Sequence, residues 1–309
     1  MKILIIGGTG LIGPHLIREI SSRSPKYQVH TLTREGRRVL IETPHKCDRQ
    51  DSRELNRIIK DISPDCVIDM IPLNKQHAEI LSDAINDHIP QCHLIAISSI
   101  DVYAAYAKLH NTESTSYHPC PLTEDMPLRN RPGPKGLAYD KIGIEQIYKQ
   151  TIENLTILRL PAIYGWPDTT RVSQYLDKML EGRTTISLSP VKSVWTFSRC
   201  LHKNAGFGIF RTVESPGQGH HIYNLGEKTD YTEYEWCRKI ARAAGWHGEI
   251  IIDDTISEDT DFHQHFTVCS DKIRNERGYY ETYDPEAGLT DTVMFHSYIR
   301  RNKPYKKEY

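Results

Sequence analysis

Met1-Lys-Ile-Leu-Ile-Ile6, running straight into Gly7-Gly-Thr9-Gly10-Leu11-Ile12-Gly13, is the stretch that decides the fold. The apolar run predicts a buried strand, and the glycines carry it through a tight turn into a helix over residues 14–21. A strand, a GxxGxxG turn and a helix in that order grip a pyrophosphate. Gly7 admits the turn, Gly10 lets backbone approach the phosphates, and Gly13 lets helix and strand pack closely. Thr9, Leu11 and Ile12 complete the loop. The helix behind it points its amide end at the anion.

Beyond this unit the chain alternates. A second strand is expected over residues 27–33, a helix over 51–62 and a strand over 66–71. A helix over 74–88 (apolar period His77, Ile80, Leu81, Ala84, Ile85) and a strand over 93–99 follow. This rhythm indicates a parallel sheet covered on both faces. Residues 110–136 are rich in proline, glycine and charge and read as a long loop. A helix over 139–153, a strand over 155–160 and a late strand near Ile222-Tyr-Asn-Leu-Gly226 complete the pattern. The expected fold is α/β: a Rossmann-type doubly wound parallel sheet with a smaller C-terminal substrate-binding lobe. The dinucleotide-binding part takes residues 1–163 plus about 193–226, and the lobe about 164–192 plus 227–309. There is no internal repeat.

Composition excludes several classes. The formal charge of −1 over 309 residues supplies no field to recruit nucleic acid or an anionic membrane. No apolar run is long enough to span a bilayer, and the first apolar stretch reads as a strand rather than a signal peptide. Seven scattered cysteines without CxxC spacing read as reduced thiols of a cytoplasmic protein. His220-His221 and His263-x-His265 lack a carboxylate or cysteine at ligand spacing, so no metal is expected. The basic tail (Arg300, Arg301, Lys303, Lys306, Lys307) reads as a solvated end.

Further motifs follow in order: Asp48-Arg-Gln-Asp51, Ser98-Ser99-Ile-Asp101-Val-Tyr103, Leu122-Thr-Glu-Asp, Lys141 with Glu145, Arg159-Leu-Pro-Ala-Ile-Tyr164-Gly165 and Tyr223-Asn-Leu-Gly226. With the glycine turn, they make the chain resemble the extended and atypical short-chain dehydrogenase/reductases, in particular the NAD-dependent epimerase/dehydratase family. The resemblance covers nearly the whole length. It implies that Asp51 bonds the adenine amino group and that Ser99 bonds the reacting oxygen of the substrate. It also implies that Lys141 holds the nicotinamide ribose and lowers the pKa of a catalytic tyrosine, since a nearby cation favours phenolate.

One position departs from the pattern. Tyr-x-x-x-Lys requires tyrosine at residue 137, which is leucine, whereas Tyr139 lies two before Lys141. On a helix, residues two apart point roughly 200° away from each other. Tyr139 therefore serves as the acid/base only if the helix has not begun there, for which Gly133-Pro-Lys-Gly136 is a reason. Divergent relatives with Tyr-acid-Lys resemble Tyr139-Asp140-Lys141. Tyr103 and Tyr164 are reserve candidates. Asp101 falls where dehydratases of the superfamily carry an acidic base, against a purely structural hydrogen-bonding role.

Cofactor choice turns on Thr33-Arg34-Glu35-Gly-Arg37-Arg38 at the end of the second strand. Arg34, helped by Arg37 or Arg38, favours NADP over NAD, with Glu35 dissenting. Ala162 stands where sugar-nucleotide enzymes of the family carry asparagine, which disfavours a nucleotide-sugar substrate. Tyr103, Tyr164, Trp166, Arg171 and Trp195 lie in segments that face the substrate in the family; packing between lobes is the alternative. The resemblance also implies a homodimer through the helices near 74–88 and 139–153. Two functions remain: an NAD(P)-dependent oxidoreductase of the epimerase/dehydratase type acting on a small hydroxylated or carbonyl compound, or a non-catalytic dinucleotide-binding protein that senses redox state or binds a macromolecule. The retained Ser99 and Lys141 favour the enzyme.

Overall fold

A computed structural model describes residues 1–23, 26–131 and 136–302. The chain begins with β1 (Lys2–Ile6), α1 (Gly13–Arg23), β2 (Gln28–Thr33), β3 (Thr43–Lys46), α2 (Ser52–Ile62) and β4 (Cys66–Asp69). It continues through α3 (Lys75–His88), β5 (His93–Ser99), α4 (Ala104–Leu109), α5 (Lys141–Thr151) and β6 (Leu155–Leu160). Next come β7 (Ala162–Tyr164), α6 (Thr170–Leu180), β8 (Thr185–Leu188), α7 (Pro190–Ser193), β9 (Thr196–Phe197) and β10 (Arg199–Leu201). Last are α8 (His202–Glu214), β11 (His220–Asn224), β12 (Tyr231–Thr232), α9 (Glu233–Ala244), β13 (Glu249–Ile252), α10 (Asp271–Arg277) and α11 (Pro285–Asn302).

Seven of these strands form one parallel sheet in the order β11-β6-β5-β4-β1-β2-β3. The order reverses beside β1, so ligands are expected outside the carboxyl ends of β1 and β4. Every residue of β4 and β6 is buried, as a strand covered on both faces requires. One apolar cluster packs α1 and α8 on one face, through Leu16, Ile17, Phe207 and Phe210. The other packs α2, α3 and α5 on the opposite face, through Leu55, Ile59, Leu81, Ile85 and Tyr148. A third cluster joins α6, α9 and α11 in a smaller body beside the sheet.

The doubly wound sheet stands as expected. Three elements depart from the sequence reading. β3 is an additional edge strand, α4 follows directly on β5, and α8 fills the stretch before β11. The helix expected over 139–153 starts at Lys141, behind the cap of Asp140, whose Oδ1 accepts Gly143 N at 3.0 Å. Gly133 to Lys135, invoked for that late start, and Lys303, Lys306 and Lys307 lie outside the described residues. The surface expected to form a dimer, the outer faces of α3 and α5, is polar: Glu79, Asp83, Asn86, Asp87, Gln146 and Gln150 are exposed. Among the described residues no helix is long and apolar enough to cross a membrane.

Candidate active site

The carboxyl ends of β1, β2, β3 and β4 open onto one cleft. Gly7 turns there with φ 86°, a conformation that disfavours any side chain. A Cβ on Gly13 would sit 2.0 Å from the carbonyl oxygen of Gly8, so helix and turn touch backbone to backbone. At Gly10 an added Cβ would meet nothing nearer than Gly7 O at 3.8 Å, which leaves its backbone open to the cleft. Leu11 and Ile12 finish the turn, and Ile12 packs on the core while its carbonyl accepts the amides of His15 and Leu16. The cleft holds about 370 Å³ and is lined by Gly7, Thr9, Gly10, Arg34, Asp48 and Arg49, among others. This is a cradle a pyrophosphate and an adenosine fit.

At the adenosine end the two aspartates of Asp48-Arg-Gln-Asp51 part. Asp51 does not line the cleft; it caps α2, its carboxylate accepting Glu54 N at 3.1 Å. Asp48 lines the cleft instead, with Oδ1 accepting Gln50 N at 3.0 Å. The physical reason was readable: Asp51-x-x-Glu54 is a helix N-terminus pattern. Arg34 lies at the cleft with an exposed side chain, and Glu35 is exposed beside it. Arg49 is buried and forks onto Asp69 at 2.6 and 2.8 Å, and Tyr148 donates to the same carboxylate at 2.6 Å. Sequence reasoning missed this ion pair.

Past the carboxyl end of β5, and joined to the cleft wall through Pro72, Ser99, Asp101, Tyr139 and Lys141 meet. Ser99 ends β5, and its Oγ accepts Asp101 N at 3.2 Å, starting the short turn that carries Asp101. Tyr139 precedes α5, so the helical objection to its position does not apply. Its side chain hydrogen-bonds those of Ser99 and Asp101. The Lys141 ammonium lies 5.4 Å from the centre of the Tyr139 ring. It donates to the carbonyls of Pro72 at 2.6 Å and Ile97 at 3.0 Å, which leaves one of its three protons for another acceptor.

The charges differ from what the lysine alone suggests. Burial and the adjacent Asp101 push the Tyr139 phenol well above its usual value, in spite of the Ser99 bond. Tyr139 is therefore a neutral hydroxyl at neutral pH, a proton donor rather than a standing phenolate. Burial also raises the Asp101 carboxyl, against Arg129, Ser99, Lys141 and Tyr139. Burial pulls Lys141 down to about 8, with Asp69 and Asp101 pulling the other way.

The expected substrate residues divide. Tyr103 is fully buried, its hydroxyl donating to Asn224 Oδ1 at 2.6 Å, with the Arg159 guanidinium 4.8 Å from its ring centre. Tyr164 donates to Glu227 Oε1 at 3.0 Å and meets Trp236 edge-on. Trp195 donates to Gln264 O at 2.9 Å and stacks on Phe197. These three are core positions, because both the rings and their polar tips are already engaged. Trp166 is exposed and edge-on to Phe295, and Arg171 is exposed in the first turn of α6. Two residues nearer the chemistry went unread. Tyr106, on α4, lies within electrostatic reach of Asp101, Arg129 and Tyr139. Arg129 is buried against Asp101. The only sequence signal for Tyr106 is its place one helical turn after Tyr103; Arg129 sits in a loop with none.

A family model described as NAD dependent epimerase/dehydratase family matches residues 3–198. No curated protein matches the chain by sequence. Solved structures match over nearly the full length. A dTDP-glucose 4,6-dehydratase from Streptomyces venezuelae with NAD bound is 19% identical, with 98% of this chain and 99% of that one covered and a TM-score of 0.73. The dTDP-glucose 4,6-dehydratase of Bacillus anthracis in complex with NAD is 18% identical, with 97% and 98% covered and a TM-score of 0.72. The UDP-glucose 4-epimerase of Bifidobacterium longum with NAD+ and UDP is 16% identical, with 98% and 99% covered and a TM-score of 0.73.

Proposed function

The chain belongs to the NAD-dependent epimerase/dehydratase family, and from that premise we propose that it is an NAD(P)-dependent oxidoreductase acting on a small hydroxylated or carbonyl compound. The observation that carries this reading is the meeting of Ser99, Asp101, Tyr139 and Lys141 past the carboxyl end of β5, with Lys141 bonded to the carbonyl of Pro72 between the cleft residues Ile71 and Leu73.

Bound there, the nicotinamide group supplies hydride transfer. Gly7, Thr9, Gly10 and Gly13 would hold the pyrophosphate, Asp48 the adenine and the remaining Lys141 proton a ribose hydroxyl. Ser99 and Tyr139 would hold the reacting oxygen of the substrate. In the reducing direction the neutral Tyr139 gives its proton to that oxygen, and the phenolate regains a proton from solvent by way of Asp101, which takes it up and passes it on. In the oxidising direction the same path runs backwards and Asp101 takes the proton. The relatives named above are enzymes of nucleotide sugars by their own names, and Ala162 argues for a different substrate here. Its methyl group cannot supply the hydrogen bonds of an amide.

NADP is the favoured cofactor, on the position of Arg34 at the cleft. Arg34→Ala is expected to weaken NADPH binding about tenfold or more relative to NADH, read by nicotinamide fluorescence, because a charge-assisted bond to the 2′-phosphate is lost. Equal loss for both forms would remove the argument for NADP. Gly13→Ala tests the cradle itself. The added methyl cannot fit 2.0 Å from Gly8 O, so the turn must shift. The expected cost is about 1–3 kcal/mol in urea unfolding, with dinucleotide affinity lost in parallel. Unchanged affinity would remove the turn from the binding site. If the wild-type protein binds neither reduced nor oxidised dinucleotide, the oxidoreductase reading fails.

A further inference from the structure

We propose that Arg129 is the positioning residue of the proton acceptor: it fixes Asp101 beside Tyr139 and sets its guanidinium against the unbonded oxygen of that carboxylate. This rests on the reading of Asp101 given above.

Arg129 is 3% exposed. Its Nε donates to the main-chain oxygen of Asp101 at 2.7 Å, and a terminal nitrogen stands 3.8 Å from Asp101 Oδ1. That same Oδ1 is buried with no hydrogen-bond partner. The other terminal nitrogen donates to Arg131 O. The backbone around the guanidinium is tied on both sides. Arg129 N donates to Val102 O at 2.9 Å, Ala104 N to Pro127 O at 2.9 Å, and Leu128 bridges Tyr103. The Glu113 carboxylate accepts the amides of Asn130 at 3.0 Å and Arg131 at 2.9 Å. The loop is thus pinned to the turn that carries Asp101.

Two of the three nitrogens are enough to hold the loop. The third faces the carboxylate at a distance too long for a hydrogen bond but short for two charges in a buried site. The other groups facing Asp101 are Ser99 from β5, Tyr106 from α4, Tyr139 from the turn before α5 and Lys141 from α5 itself. Lys141 already donates to two carbonyls, and the tyrosines are neutral. Arg129 is therefore the chief cation opposing the effect of burial on Asp101. It sets how much of Asp101 is ionised when a proton must be taken.

The test needs no substrate. Protein labelled with ¹³C at aspartate carboxyls is titrated by NMR, and the Asp101 resonance is assigned by its loss in Asp101→Asn. In Arg129→Gln the Asp101 midpoint is expected to rise by about one unit, a tenfold change in acid constant, because the charged form loses its partner. In Arg129→Lys, which keeps the charge but not the fork, the rise is smaller. An unmoved midpoint in folded Arg129→Gln overturns the proposal. If that variant does not fold, Arg129→Met decides: a rise supports the proposal and none overturns it. Turnover by Asp101→Asn is a separate readout. If it persists, the proton-acceptor reading falls, whereas the midpoint still reports the coupling of Arg129 to Asp101.

Discussion

Tyr139→Phe is expected to lower turnover by about two to four orders of magnitude while leaving dinucleotide affinity unchanged. The substitution removes one oxygen and nothing else. That oxygen is hydrogen-bonded to both Ser99 and Asp101, so its loss removes the proton donor to the reacting oxygen. The ring still packs 5.4 Å from the Lys141 ammonium, so the binding side of the cleft keeps its shape. Lys141→Met is expected to behave differently, weakening dinucleotide binding as well as turnover, because the ammonium that would hold the ribose hydroxyl is gone. The two variants separate transfer from binding. Retained turnover in Tyr139→Phe would move the acid/base role to Asp101 alone. Since the phenol is pushed up rather than down, the pH profile should follow the carboxylate, and Asp101→Asn should flatten it.

The sheet was legible because buried parallel strands are short apolar runs and the helices between them repeat every three to four residues. Ile3 to Ile6, Cys66 to Ile68 and His93 to Ile97 all read this way. β3 did not. Thr43-Pro-His-Lys46 has no apolar alternation, and as an edge strand it needs only backbone pairing with β2. α8 was hidden for another reason. It carries Gly206 and Gly208, which weaken a helical pattern. In the structure a Cβ on Gly206 would lie 3.1 Å from Leu16 N, and one on Gly208 2.2 Å from Leu225. Those glycines serve close packing between elements that no local pattern shows.

The site was legible to the extent that it follows fixed spacing along one element. The glycine turn and the pair Ser99 and Asp101 belong to that class. Tyr139 was decided by Asp140, a cap residue whose effect on where α5 begins is a hydrogen bond rather than a motif. Asp51 was read by its position in a motif, whereas locally its carboxylate caps α2. Tyr103, Tyr164 and Trp195 lie next to functional positions in sequence but turn into apolar clusters. Which way a ring turns depends on partners such as Asn224, Glu227 and Gln264, each more than sixty residues away.

Glu145→Ala is expected to destabilise the protein by about 3–5 kcal/mol. Glu145 lies one turn beyond Lys141 on α5 and is 1% exposed. Its carboxylate takes Arg159 Nε at 3.0 Å and Nη2 at 2.8 Å, and Ser98 Oγ at 2.6 Å. Burial raises this carboxyl, yet Arg159, Ser98 and Lys149 outweigh it and hold the group ionised. Truncation therefore leaves the Arg159 guanidinium, also 1% exposed, without its counter-charge under the sheet. The loss comes from that uncompensated cation, more than from the net worth of the pair. Leucine at both positions should recover most of the stability, since removing both charges removes the desolvation cost together with the attraction. Urea unfolding of the three proteins separates the two contributions. A loss below about 1 kcal/mol for Glu145→Ala would place the pair among solvent-screened bridges, and α5 would then need another anchor to hold Lys141 in register.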